Sequence, residues 1–223
     1  MEFHGTLFTY YEPDRLTAFE SGPADSGKTV VFVGGLCDGY NSVPFLAPLQ
    51  RALEEEGWSL IQTQLSSSYS GYGIVNLQKD CDELDHLIEY LKTRRSKSKI
   101  VVMGHSTGSQ DCYWHNKYGK MNKSVDAYVL QAPVSDREHM KDVEPRYEEY
   151  LKLSQDMRAS GKGQEIMPRS AAPTPTTADR FYSLAAFGYV ATTFFLLMQV
   201  STDNYYLTTA ATTMYFLLIC QTI

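Results

Sequence analysis

Two short runs of apolar, mostly β-branched residues, Thr29-Val30-Val31-Phe32-Val33 and Ile100-Val101-Val102-Met103, constrain this chain more than any other feature. Neither alternates polar with apolar, so each suits a strand covered on both faces, as in a parallel sheet. Each ends in glycine, at Gly34-Gly35 and at Gly104, and helical periodicity follows both. After the first run, Leu46, Leu49 and Leu53 share a face, with Ser42 as the predicted N-cap and Gly57 past the end. Residues 59–65 read as a further strand and 66–73 as a loop of small residues. Leu77, Cys81, Leu84, Ile88 and Leu91 then repeat at 4-3-4-3 spacing, which predicts an amphipathic helix with its acidic residues facing out. Residues 107–118 read as a helix stopped by Gly119, and 126–130 as another strand. Residues 3–11 and 16–20 fit an opening hairpin that turns at Pro13-Asp14. The alternation predicts an α/β fold, a mostly parallel sheet with helices on both faces.

The second run leads into Gly104-His105-Ser106-Thr107-Gly108. A bare G-x-S-x-G is weak, arising by chance in about one chain in ten of this length. Here it follows a buried strand and opens a helix, the setting of a nucleophile elbow, with Ser106 as candidate nucleophile. Gly104 and Gly108 leave room for the tight turn. The helix start beneath Ser106 favours developing negative charge. One oxyanion donor is expected from the N–H of Thr107, the other from the loop Gly34-Gly35-Leu36-Cys37-Asp38-Gly39, at Leu36 or Cys37. The blander alternative is a structural Gly/Ser turn with an N-cap serine.

Three segments carry a resemblance. Gly34-Gly35-Leu36-Cys37-Asp38-Gly39-Tyr40, Gly104-His105-Ser106-Thr107-Gly108-Ser109-Gln110-Asp111 and Leu130-Gln131-Ala132-Pro133-Val134-Ser135-Asp136-Arg137 resemble a fungal branch of the α/β-hydrolases. That branch includes siderophore-ester hydrolases of the fusarinine C esterase type, and the resemblance covers roughly residues 1–187. It implies a cytosolic serine esterase with a Ser-Asp-His triad and no cofactor. It also implies small-molecule ester substrates, such as hydroxamate siderophores or related fungal metabolites.

The rest of such a triad is hard to place. A serine hydroxyl needs an imidazole to take its proton, and the imidazole an orienting carboxylate. After Ser106 only His115 and His139 remain. His115 lies well along the helix that begins at the elbow, too far for a base. His139 is the one available candidate, though a surface histidine fits as well. His105 points away from the nucleophile's side, and His4 and His86 have no evident role. Asp136 follows a strand end, as a structural, substrate-facing or acid residue; Asp179 and Asp203 have less to recommend them.

The family pattern departs near Gly188. All 20 Lys and Arg lie at or before Arg180, and residues 181–223 carry one charge, Asp203. Three accounts fit this tail. It is the product of a shifted reading frame or retained intron, a membrane hairpin of two uncharged stretches (181–200 and 205–223), or strands that complete the sheet. The abrupt loss of charge and the Thr-rich phrases favour the first over membrane contact. The expected organisation is therefore a core over 1–187, with a lid and linker at 135–180, and an atypical tail over 188–223. Within the lid a helix is predicted over 143–159 and a Pro/Ser/Thr linker over 168–177.

Composition removes other classes. A net charge of −6 with scattered basic residues gives no nucleic-acid footprint; the 92–99 cluster reads as a solvated helix end. Cys37, Cys81, Cys112 and Cys220 show neither metal-ligand spacing nor C-x-x-C pairing, as in a reduced intracellular protein. No secretory signal is visible. Three functional readings remain: an ester hydrolase, a hydrolase scaffold without turnover, and a membrane-tethered form of either.

Overall fold

The computed structural model describes residues 1–186, 205–210 and 214–220. Eight strands form one sheet in the order β1-β2-β4-β3-β5-β6-β8-β7. β1 (Gly5–Tyr11) and β2 (Leu16–Ser21) are the predicted hairpin, antiparallel through Phe8↔Ala18. The two runs that open the sequence become β3 (Lys28–Val33) and β5 (Lys99–His105), paired in parallel from Lys28↔Lys99 to Val33↔Gly104. β4 (Ser59–Thr63) and β6 (Ala127–Gln131) extend this parallel centre on either side. β7 (Tyr205–Ala210) and β8 (Met214–Cys220) pair antiparallel, and β8 runs antiparallel to β6. Strands therefore stand at two stretches of the tail. The membrane-hairpin and reading-frame accounts fall largely on 187–204, 211–213 and 221–223, outside the described residues. Among the described residues no helix is long and apolar enough to cross a membrane.

The lack of alternation in β3 has the predicted cause: both faces are covered. Val31 and Val33 pack with Leu84, Leu87 and Ile88 of α2 (Leu77–Arg94) and Cys112 of α3 (Gly108–Tyr118). Val30 and Phe32 face the other way, toward Leu46 of α1 (Leu46–Glu55). Asn76 caps α2, its side chain accepting from the Lys79 N–H at 3.0 Å.

Two local expectations are corrected. Ser42 does not cap α1, which begins at Leu46 after the Leu46 N–H has bonded the Val43 carbonyl at 3.2 Å. Pro44 has no N–H to give, whereas Pro48 is tolerated in a first turn whose N–H groups are unbonded within the helix. The helix predicted over 143–159 is α5 (Tyr147–Ala159), which starts only after Pro145, and a separate helix, α4 (Asp136–Val143), precedes it. The linker is followed by α6 (Ala178–Ala185), capped by Thr177, whose hydroxyl accepts the Arg180 N–H at 3.2 Å. α5 and α6 build a small core of their own from Tyr147, Tyr150, Met167 and Phe181.

Candidate active site at the carboxyl edge of the sheet

β5 ends in a turn that the sequence leaves no choice about. Ser106 is held at φ +53°, a left-handed conformation that non-glycine residues seldom adopt. The turn is locked from both sides. The Ser106 N–H donates to the Gln131 carbonyl of β6 at 3.0 Å, and the Ser106 carbonyl accepts the Ser109 N–H at 3.0 Å. A Cβ on Gly104 would lie 2.2 Å from the Gly108 carbonyl oxygen, and one on Gly108 would lie 2.3 Å from that of Gly34. Both motif glycines are there because backbone occupies the space of a side chain. Ser106 itself is half-buried, and among the described residues its hydroxyl has no hydrogen-bond partner. The N-terminus of α3 lies directly after it, with Thr107 as the capping residue.

The loop after β3 closes on this turn. A Cβ on Gly35 would stand 3.0 Å from the Ser106 Cβ, so loop and serine touch. Asp38 accepts the Gly35 N–H on Oδ2 at 2.7 Å, and the Asp38 N–H returns to the Gly35 carbonyl at 3.1 Å. With Gly35 engaged, the next N–H groups in line are those of Leu36 and Cys37. Both residues are exposed, and Cys37 is itself at φ +67°.

Beneath this loop is a cavity of about 30 Å³ that residues outside the motifs help to line. Gly35 and Thr107 line it together with Asp80 of α2, Asp111 of α3 and Arg180 of α6. Asp80 and Asp111 are 1 % and 7 % exposed, and each keeps one oxygen, Oδ1, without a hydrogen-bond partner. Burial pushes the Asp80 carboxyl up to about 7, with Ser67 and Arg180 opposing. Asp111 rises well above the ordinary carboxylate range through burial and the adjacent Asp80 charge. Arg180, also buried, donates Nε to the Tyr72 carbonyl at 2.8 Å and Nη1 to the Ser183 hydroxyl at 3.3 Å.

Sequence reasoning missed these three residues, and it placed the acids of α2 in solvent. The structure buries Asp80, Glu83 and Asp85. The signal was there: Asp80 stands three after Leu77 and four before Leu84, on the apolar stripe itself. Asp111 closes the quoted elbow segment.

None of the five histidines hydrogen-bonds Ser106 among the described residues. His115 is fully buried between the Tyr128 hydroxyl (2.6 Å) and Asp85 (3.0 Å), a satisfied core residue. His105 turns back to Gln131 and meets the Phe45 ring edge-on. His86 stacks on Tyr11, and His4 is exposed beside Glu2. His139 is exposed on α4, one turn from Asp136. Asp136 is buried, accepts the Gln110 amide at 2.6 Å, and is raised by burial against the pull of Gln110, Arg180 and His139. Asp179 is bound by Arg158 and Gln164, both at 2.8 Å, and the side chain of Asp203 lies outside the described residues.

The strand order and the strand-serine-helix turn define an α/β-hydrolase fold. The chain belongs to the family described as Protein of unknown function (DUF1749), whose model matches residues 1–209. It is similar to Esterase AN6793 of Emericella nidulans, 36 % identical over 169 residues that cover 62 % of this chain and 44 % of that one. Fusarinine C esterase sidJ of Aspergillus fumigatus is 31 % identical, covering 82 % of this chain and 64 % of its own. Among solved structures, siderophore hydrolase EstB from Aspergillus fumigatus superposes with a TM-score of 0.66 at 29 % identity, covering 83 % of this chain and 65 % of that one. The chain thus spans less than two thirds of the length of each of these relatives.

Proposed function

We propose that this chain carries the nucleophilic half of a carboxylic ester hydrolase, with Ser106 as nucleophile. Its hydroxyl attacks the ester carbonyl, and the N–H groups of Leu36 and Thr107 hold the oxyanion. The alcohol leaves, and water releases the acyl group. The observation that carries this reading is the left-handed Ser106, fixed between two glycines whose side-chain space is occupied and touched by the oxyanion loop. Such strain persists only where surrounding structure enforces it, and it gathers at functional sites. The names of sidJ and EstB support a siderophore ester as substrate. Helices α4 to α6, following β6 at the carboxyl edge, form the substrate-selecting lid.

A second reading has its own observation: among the described residues the Ser106 hydroxyl is unpartnered and each histidine is engaged or exposed elsewhere. On that reading the chain binds esters without turning them over. A fluorophosphonate probe separates the two, because phosphonylation needs an activated serine. Labelling of the folded chain, lost in Ser106→Ala, supports the hydrolase. A folded chain that stays unlabelled at equal probe concentration overturns it in favour of the binding scaffold. His139→Ala asks whether the exposed histidine supplies the base; an unchanged labelling rate removes it.

A further inference from the structure

Asp80 and Asp111 have no place in ester cleavage as proposed above, yet they are among the most costly residues in the chain. A buried carboxyl group is stable when donors satisfy its oxygens. Among the described residues each has an Oδ1 without a hydrogen-bond partner, the Thr63 hydroxyl likewise has none, and all three residues line one cavity. Arg180 opposes the rise of both carboxyls through its charge but hydrogen-bonds neither: its guanidinium donates to uncharged oxygens, at Tyr72 and Ser183. Three carboxyls, Asp38, Asp80 and Asp111, and one guanidinium therefore line the cavity; Asp38 accepts the Gly35 N–H, and the other two have acceptor capacity left over. The cavity's volume of about 30 Å³ admits a group of one or two heavy atoms. Leu36 and Thr107, the proposed oxyanion donors, line the same cavity.

These features define the ligand chemistry. The group must be small, must donate at least two hydrogen bonds, and gains from positive charge. An anion is disfavoured by three acids against one arginine. A divalent metal is disfavoured because hard cations need six or more oxygens, and among the described residues no three acids, histidines or cysteines converge on one point. A primary ammonium meets all the requirements, since its three N–H donors can reach both free oxygens and still leave one for a backbone carbonyl.

We propose that Asp80 and Asp111 form a subsite for a primary ammonium group of the substrate, beside the donor pair of Leu36 and Thr107. The assignment to substrate rests on the ester-hydrolase reading; the cation site itself does not. An ester bearing an amine a few bonds from its carbonyl would be seated by this contact, and its N-acetylated counterpart would be refused.

The test is thermal unfolding at about pH 8 with methylammonium chloride, against potassium chloride and tetramethylammonium chloride at equal ionic strength. Methylammonium should raise Tm with the logarithm of its concentration above Kd, by about 3–6 °C at ten times its Kd, while the other two salts do not. Asp111→Asn and Asp80→Asn should each lower the apparent affinity at least tenfold, and Ser106→Ala should leave it unchanged. Identical responses to the three salts overturn the proposal and mean that the cavity holds water only. A methylammonium response unchanged in both Asn variants overturns it as well. If either variant fails to fold, the comparison of salts on the unaltered chain still decides. Probe labelling is scored separately, so loss of one result leaves the other standing.

Discussion

Charge is buried at two edges of the same sheet, and the two burials are opposite in kind. At the amino edge, Glu20 of β2 is 3 % exposed and lies between two cations. Arg95 reaches its Oε2 and Lys97 its Oε1, both at 2.5 Å. Lys97 is itself buried and gives further bonds to the Ser26 carbonyl at 2.6 Å and the Ser59 hydroxyl at 3.3 Å. Burial alone would raise Glu20, but its bonds to Lys97 and Ser59 and the two positive charges hold it below the usual carboxylate range. At the carboxyl edge, Asp80 and Asp111 have one shared arginine that bonds elsewhere, and both carboxyls are raised. The difference separates framework from site. A carboxylate held between two cations has its charge compensated inside the framework, whereas two carboxyls without a close ion-pair partner keep capacity for a positive ligand at a cost in stability.

The largest effect belongs to the amino edge. Glu20→Gln strands Lys97 as an unpaired buried charge, which costs about 3–5 kcal/mol. Urea unfolding measures it directly. A cost under about 1 kcal/mol would dissolve the contrast, since the pair would then be as dispensable as a surface one. The carboxyl edge should respond with the opposite sign. Asp80 has a folded value of about 7 against an ordinary 3.8, so folding favours its protonated form. Its contribution is fully present below the unfolded value and is lost as pH rises through about 7. Glu20, held low, contributes above its unfolded value and loses that contribution as pH falls through its folded value. Asp80→Asn should therefore stabilise the chain at about pH 8 by roughly 1–3 kcal/mol and flatten the decline from pH 5 to 8. Matching pH profiles for variant and parent would show that Asp80 is as well satisfied as Glu20.

The contrast also marks what the sequence made legible. The parallel centre was readable because Val30 to Val33 have no polar residue for either face, and the elbow because Gly104 and Gly108 frame Ser106 at the end of such a run. What failed depends on pairings distant in sequence. Lys97 sits in a basic cluster that reads as a solvated helix end, and nothing local says that Glu20, 77 positions earlier, will neutralise it. Asp80 reads as one acid among several on α2 until its register on the apolar stripe is counted. Arg180 precedes the tail and reaches Tyr72 across 108 positions, a contact no periodicity announces. Pro145 was a local signal for the break between α4 and α5, passed over because the surrounding charge pattern stayed helical.

Backbone strain follows the same division and yields the smallest effect. Cys37, Tyr69, Ser106 and Ala132, all at positive φ, lie in the loops that follow β3, β4, β5 and β6, so the carboxyl edge gathers it. For Ser106 the left-handed conformation costs about 1–2 kcal/mol, and its hydroxyl has no hydrogen-bond partner among the described residues to offset that. Glycine would remove the strain but would gain freedom in the unfolded chain, giving back about 0.5–1 kcal/mol. Ser106→Gly should therefore stabilise by about 0.5–1 kcal/mol, whereas Ser106→Ala, equally strained and losing no bond, should change stability by less than about 0.5 kcal/mol. Paired urea titrations resolve the two variants. If alanine and glycine are equivalent, the turn is not strained at Ser106. If alanine destabilises by 1 kcal/mol or more, the hydroxyl makes a structural bond and the serine belongs with Glu20, as framework rather than site.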